Sequence, residues 1–210
     1  MSPILAVPLW TAAGAAAGWG VRLASARLAQ AEDLVPGRRP WQVYGPPAVA
    51  AALFGVFAYF LAAQPLQLLV DSIFVLVMVQ VIFFDLEHLL ILDRVILPAL
   101  ALAFVVSLLR HPWWAGLATG LAIGGCLFLI GLAGTFIFKA DALGFGDVKL
   151  ATLVGVLLGP VTAVESLLLA FFIAGLFAIA IAVMQRSMKG NLALGPFLAA
   201  AGVVGLLNPF

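Results

Sequence analysis

From His111 to Phe138 the chain reads HPWWAGLATGLAIGGCLFLIGLAGTFIF, without one Asp, Glu, Lys or Arg. Such a stretch has no polar face to give to water, so the solvent it suits is the lipid bilayer. The same holds from Met1 to Val21, from Pro40 to Val70, from Leu150 to Val164 and from Ser166 to Gln185. In hydrocarbon every main-chain N–H and C=O must find its partner inside the segment, which for runs this apolar means α-helix. Charged residues make up 9% of the chain against 65% hydrophobic, with a mean hydropathy of +1.24. The expectation is an all-α, polytopic membrane helix bundle in one domain, 1–210, with no soluble part.

About 20 residues are needed to cross about 30 Å of hydrocarbon. Hydropathy places spans near 4–24, 46–63, 67–84, 94–109, 115–138, 148–159, 161–184 and 195–208, about eight transmembrane helices. Gly159 and Pro160 separate the sixth from the seventh, because Gly-Pro disfavours continuation of a helix. The N-terminus MSPILAVPLW has no cationic n-region, so the first run reads as a retained helix and not as a cleaved signal.

Orientation follows from the cations. If the loops after the first, third, fifth and seventh spans face the cytoplasm, they hold Arg22, Arg27, Arg38, Arg39, Arg94, Lys139, Lys149, Arg186 and Lys189, and only Arg110 lies opposite. Positive charge collects on the cytoplasmic side, so both termini are placed outside it. The longest connector, 25–45, reads SARLAQAEDLVPGRRPWQVYG and is expected to hug the membrane surface. Net charge is +1, which gives no basic face for nucleic acid. The single cysteine, Cys126, supports neither a disulfide framework nor a zinc site, and is expected to be a small buried apolar residue.

Nine acidic residues exist, few enough for each to be weighed in turn. Glu32 and Asp33 sit in the polar connector and read as solvated charges. Asp71 and Glu165 fall near the outer ends of spans, where a carboxylate can reach water or cap a helix. The other five gather on the cytoplasmic side: Asp85, Glu87 and Asp93 in FFDLEHLLILDR, Asp141 and Asp147 in KADALGFGDVKL. Asp85 follows directly on VLVMVQVIFF, at or just inside the membrane boundary, where an ionised carboxylate is costly unless it faces a polar cavity or shares a proton. Gly144 and Gly146 leave the backbone before Asp147 free for unusual dihedrals and close approach. Two carboxyl groups brought together there would hold one proton between them, as aspartyl hydrolysis requires. His88 and His111 fall on opposite sides of the membrane, so a two-histidine metal site is not available, and His88 reads as an interfacial polar residue.

GFGD followed by VKL resembles the GxGD motif of intramembrane aspartyl proteases. LGFGDVKL is similar in particular to the type IV prepilin peptidases of bacteria. DLEHLLILD, Asp85 to Asp93, resembles that family's pair of Asp residues near the cytoplasmic end of a helix. GAAAGWGVRLASARL, RRPWQVYGPP and LALGPFLAAAG look like its first, second and last helices. The resemblance implies a membrane aspartic endopeptidase, without cofactor or metal, in the bacterial inner membrane. It would remove the leader of prepilin or pseudopilin substrates of type IV pili or type II secretion. It implies Asp85 and Asp147 as the catalytic pair, Gly144 and Gly146 as shapers of the loop, and Asp93 and Lys149 as supporting residues.

Many members carry a zinc-binding insertion with two CxxC pairs after the first helix and also methylate the processed pilin. Here the short cysteine-free connector stands in that place, so the ground for expecting methyl transfer is missing. The family's usual Pro before the second Asp of the first motif is Leu92. Two other readings remain: an inactive pilus or secretion assembly factor that kept the fold, and a proton-coupled transporter, which would place carboxylates near the bilayer midplane.

Overall fold

The computed structural model describes residues 3–138, 143–185 and 193–208. Among them are eight α-helices and no strand: α1 (Pro3–Ala31), α2 (Pro40–Leu61), α3 (Pro65–His88), α4 (Asp93–Leu108), α5 (Trp113–Phe138), α6 (Phe145–Leu158), α7 (Pro160–Gln185) and α8 (Gly195–Leu206). Each expected span corresponds to one helix. Five of them, α1, α2, α3, α5 and α7, are long and apolar enough to cross a membrane, and the chain is a multi-pass membrane protein. The other three are short, with 16 residues in α4, 14 in α6 and 12 in α8. Prolines open α2, α3 and α7, where the missing N–H would have had no intrahelical partner.

The helices fall into two compact units, Met1–Leu89 and Leu90–Phe210. In the first, α1 packs along α2 through Gly14 and Gly18. A Cβ on Gly14 would lie 2.6 Å from Ala50 O, and one on Gly18 2.6 Å from Pro47 Cα, so only glycine lets the two backbones approach this far. Polar pairs join α1 to α3: Trp10 Nε1 donates to Ser72 Oγ at 2.8 Å, and Ser25 Oγ lies 2.9 Å from Gln80 Oε1.

Three sequence expectations change. The connector is shorter than 25–45: α1 continues to Ala31 and α2 already begins at Pro40. Ala, Arg, Leu and Gln in SARLAQA are strong helix formers, and hydropathy registers lipid, not helix. The extension ends in a Schellman turn, with Asp33 at φ 56°, Leu34 N–H donating to Ala29 O at 2.8 Å and Asp33 N–H to Gln30 O at 3.3 Å. Asp71 neither reaches water nor caps α3: it is 1% exposed, and the N-cap is Gln64. It shares an inward face of α3 with the buried Ser72, Phe74 and Val75. Glu165 is exposed on α7. Cys126 is exposed on α5 and not buried, because an apolar helix facing lipid needs no polarity difference between its two sides.

In the second unit the short α6 is the centre, packed against α4, α5, α7 and α8 and buried from Leu153 through Leu158. On α5, Gly116, Gly120 and Gly124 line the contact. A Cβ on Gly155 of α6 would lie 2.7 Å from Gly120 Cα. At its far end α6 stops at Gly159, φ 70°, whose N–H donates to Gly155 O at 3.0 Å. The guanidinium of Arg110 donates to Leu157 O at 2.5 Å, satisfying a terminal carbonyl that no helical N–H reaches. At the near end the Phe145 ring lies 6.2 Å from that of Phe128, and α5 runs on from there to Phe138. The first turn of α6 is thus set back along α5 from the end of that helix.

Candidate active site

Asp85 belongs to the first unit and Asp147 to the second. Asp85 occupies the last turn of α3 and is 5% exposed, a carboxyl group held out of bulk water. Its carbonyl oxygen accepts the N–H of Leu89 at 2.8 Å, and Leu89 takes the left-handed conformation at φ 53°, which ends the helix there. A branched aliphatic residue rarely adopts that region, where Cβ crowds the following carbonyl. Beside Asp85, the imidazole of His88 lies 4.7 Å from the Phe84 ring, and its Nε2 is 3.3 Å from Glu87 Oε1. Glu87 also accepts the N–H of Gly37, whose carbonyl accepts from Arg22. Two charged side chains thus clamp the two peptide groups that flank Gly37 of the connector, one to α1 and the other to the end of α3. Neither Glu87 nor Arg22 had been marked for this role by the sequence, where each reads as an ordinary flanking charge.

Asp147 lies in the first turn of α6 with its side chain partly exposed. Gly144 is the N-cap, in an extended conformation, and its carbonyl accepts the Asp147 N–H at 3.0 Å. The first turn of a helix carries unpaired N–H groups and the positive end of its dipole, so a carboxylate there is favoured by about 0.3–1 kcal/mol. The carboxylate turns back over Gly144, where a Cβ would meet Asp147 Oδ2 at 3.1 Å. Gly146 has a different function. A Cβ on it would lie 2.8 Å from the Cβ of Ile91, a branch point that cannot move aside, so the lack of a side chain lets the segment before α4 lie against α6.

A second contact fixes the same junction. Lys149 Nζ lies 2.5 Å from Asp93 Oδ1 and 4.6 Å from the centre of the Phe145 ring. The structure therefore brings together Gly144 with Asp147, Gly146 with Ile91, and Lys149 with Asp93. Ile91 was not singled out in the sequence, since nothing in LLIL distinguishes it from its neighbours. Asp141, Lys139, Arg186 and Lys189 lie outside the described residues. Among the described residues no three His, Cys, Asp or Glu side chains gather as a metal site.

The model of the type IV leader peptidase family matches residues 72–182, just over half of the chain. The chain belongs to this family. The part matched to the leader peptidases runs from within α3 to near the end of α7 and includes Asp85, Asp93, Gly144, Gly146, Asp147 and Lys149. Two relatives from Aeromonas salmonicida, one of them from strain A449, are each named prepilin leader peptidase/N-methyltransferase. Both are 31% identical over 134 residues, which is 62% of this chain and 46% of theirs. The chain spans about half the length of these curated relatives. No solved structure matches this leader peptidase family member.

Proposed function

We propose that this protein is a membrane aspartic endopeptidase that removes the leader of type IV prepilin or pseudopilin substrates at the cytoplasmic boundary of the bacterial inner membrane. The observation that carries this reading is the family match over a segment containing two aspartates at helix ends, Asp85 in the last turn of α3 and Asp147 in the first turn of α6. With both termini outside the cytoplasm, these two helix ends face the cytoplasmic side, which is also where the cations collect.

In the proposed reaction the two carboxyl groups share one proton. The ionised aspartate takes a proton from a water molecule, whose oxygen forms a bond to the scissile carbonyl carbon. The protonated aspartate gives its proton to the carbonyl oxygen. Collapse of the resulting diol breaks the C–N bond, with a proton delivered to the leaving amine. No metal, serine or thiolate takes part. Gly144 and Gly146 shape the loop before Asp147, and Asp93 and Lys149 hold the first turns of α4 and α6 in register. The substrate's apolar helix stays in the bilayer while its polar leader remains in the cytoplasm, which delivers the bond between them to the boundary. Methyl transfer is not part of the proposal, since the short connector offers no cysteine site.

The test is cleavage of a prepilin-like substrate by the purified protein in lipid or detergent, with Asp85→Asn and Asp147→Asn in parallel and the new N-terminus identified by mass. A cut by the wild type and silence from both variants is the expected result. A folded wild-type protein that cuts none of several substrates would leave the family's fold without its activity, and the assembly-factor reading would replace this one.

A further inference from the structure

Between α3 and α4 the chain does not turn through a polar loop. Leu90, Ile91 and Leu92 run without helical or turn structure, and Leu92 is extended at φ −78°, ψ 125°. Among the described residues, the main-chain N–H and C=O groups of Leu90 and Ile91 make no hydrogen bond, and neither does the N–H of Leu92. The side chains are apolar throughout, with Leu92 buried and Leu90 40% exposed. These two properties conflict. An apolar segment gains by leaving water, but main-chain groups taken out of water without partners cost several kcal/mol each. A connector designed to sit in water would be polar, and one designed to be buried would be hydrogen-bonded.

The conflict disappears if another peptide pairs with the segment. An extended chain with unpaired main-chain groups is a template for strand addition, in which hydrogen bonds supply affinity and alternate side chains supply selection. The position is specific. Gly146 lets Ile91 lie against the first turn of α6, the turn that carries Asp147, and the Lys149–Asp93 pair closes the far end of the segment on the same turn. A peptide laid along Leu90–Leu92 is thereby brought past Asp147 in the extended form that exposes its carbonyl groups to attack, which a helical substrate would not do.

We propose that Leu90–Leu92 is the strand on which the substrate is laid out, so that the stretch leading to the scissile bond pairs with it through main-chain hydrogen bonds. This rests on the peptidase reading above and adds to it the conformation of the bound substrate and the residues that impose it.

Two measurements test it. Peptide substrates carrying a single backbone N-methyl group at successive positions ahead of the scissile bond are given to the unmodified protein. Pairing along one edge uses every second N–H, so kcat/KM is expected to fall about tenfold at alternate positions and to change little between them. Localisation comes from a protein with Cys126→Ala, Leu90→Cys and Asp147→Asn, oxidised with substrates bearing one cysteine at successive positions. Disulfide yields are expected to alternate with a period of two residues. Sensitivity or cross-linking that recurs every third or fourth residue, or that has no periodicity, overturns the proposal while cleavage by the wild type leaves the peptidase reading standing. Absence of any cleavage by the wild type removes both.

Discussion

Lys149 Nζ lies 2.5 Å from Asp93 Oδ1, and this contact ties the N-terminal part of α6 to the first turn of α4. Asp93 is 57% exposed at its side chain and Lys149 21%, so the pair is partly wetted and contributes about 0–1 kcal/mol to stability. Its value lies in position. Lys149→Met is expected to leave the unfolding midpoint in detergent within a few degrees of wild type and to lower kcat/KM for leader cleavage about tenfold or more. The exchange Asp93→Lys with Lys149→Asp should recover part of that loss. Equal losses in the single and exchanged proteins would show that the pairing is irrelevant to the site.

The two glycines of the motif should respond differently to the same methyl group. In Gly146→Ala the new Cβ meets the Ile91 Cβ at 2.8 Å, a branch point bonded directly to the main chain, so the segment before α4 must shift. Overpacking of this kind costs about 1–3 kcal/mol, and both stability and cleavage should fall. In Gly144→Ala the neighbour is Asp147 Oδ2 at 3.1 Å, the mobile end of a side chain. Here the fold should survive with kcat reduced, because only the carboxylate is displaced. Thermal unfolding and cleavage kinetics on the two variants distinguish these outcomes.

Leu89→Gly is expected to stabilise the protein, by about 1 kcal/mol or less. Leu89 holds φ 53° at the end of α3 and is 54% exposed, so glycine removes backbone strain and gives up little packing. A lowered unfolding midpoint would mean that the exposed leucine contributes through its side chain after all.

Leu92→Pro should be tolerated. The backbone there already has φ −78°, within the range a proline ring imposes, and the Leu92 N–H has no partner among the described residues. The loss of a buried leucine side chain opposes the gain from a stiffer unfolded chain, so a stability change within about 1 kcal/mol is expected, while any fall in kcat/KM reports the loss of the Leu92 N–H as a partner for substrate. The departure from the family pattern at this position is thus one of side chain and not of backbone.

The helices themselves were legible because lipid leaves so little choice: runs without charge must be helical, and Pro40, Pro65 and Pro160 mark where three of them start. The ends of α1 and α2 were not, since SARLAQA is helical by propensity and polar by hydropathy. Which side of each helix faces protein was also hidden. In water an amphipathic pattern reports that, but lipid and protein interior are equally apolar, so neither the burial of Asp71 nor the exposure of Cys126 leaves a trace in the sequence. Of the candidate site, the aspartates and glycines could be picked out by their chemistry. Ile91 could not, because its importance comes from what lies opposite it.

The shortness of α6 has a consequence for the supply of the second reactant. Fourteen residues rise only about 21 Å, against about 30 Å of hydrocarbon. Arg110 and Gly159 fasten one end of this helix, and α5 continues beyond the other. Asp147 thus sits in the first turn of a helix shorter than the thickness of the hydrocarbon layer. On the proposed peptidase reading, water would reach a carboxylate set back in this way through a dent in the bilayer under α6, so the missing turns of helix would serve the supply of hydrolytic water as much as the residues that are present.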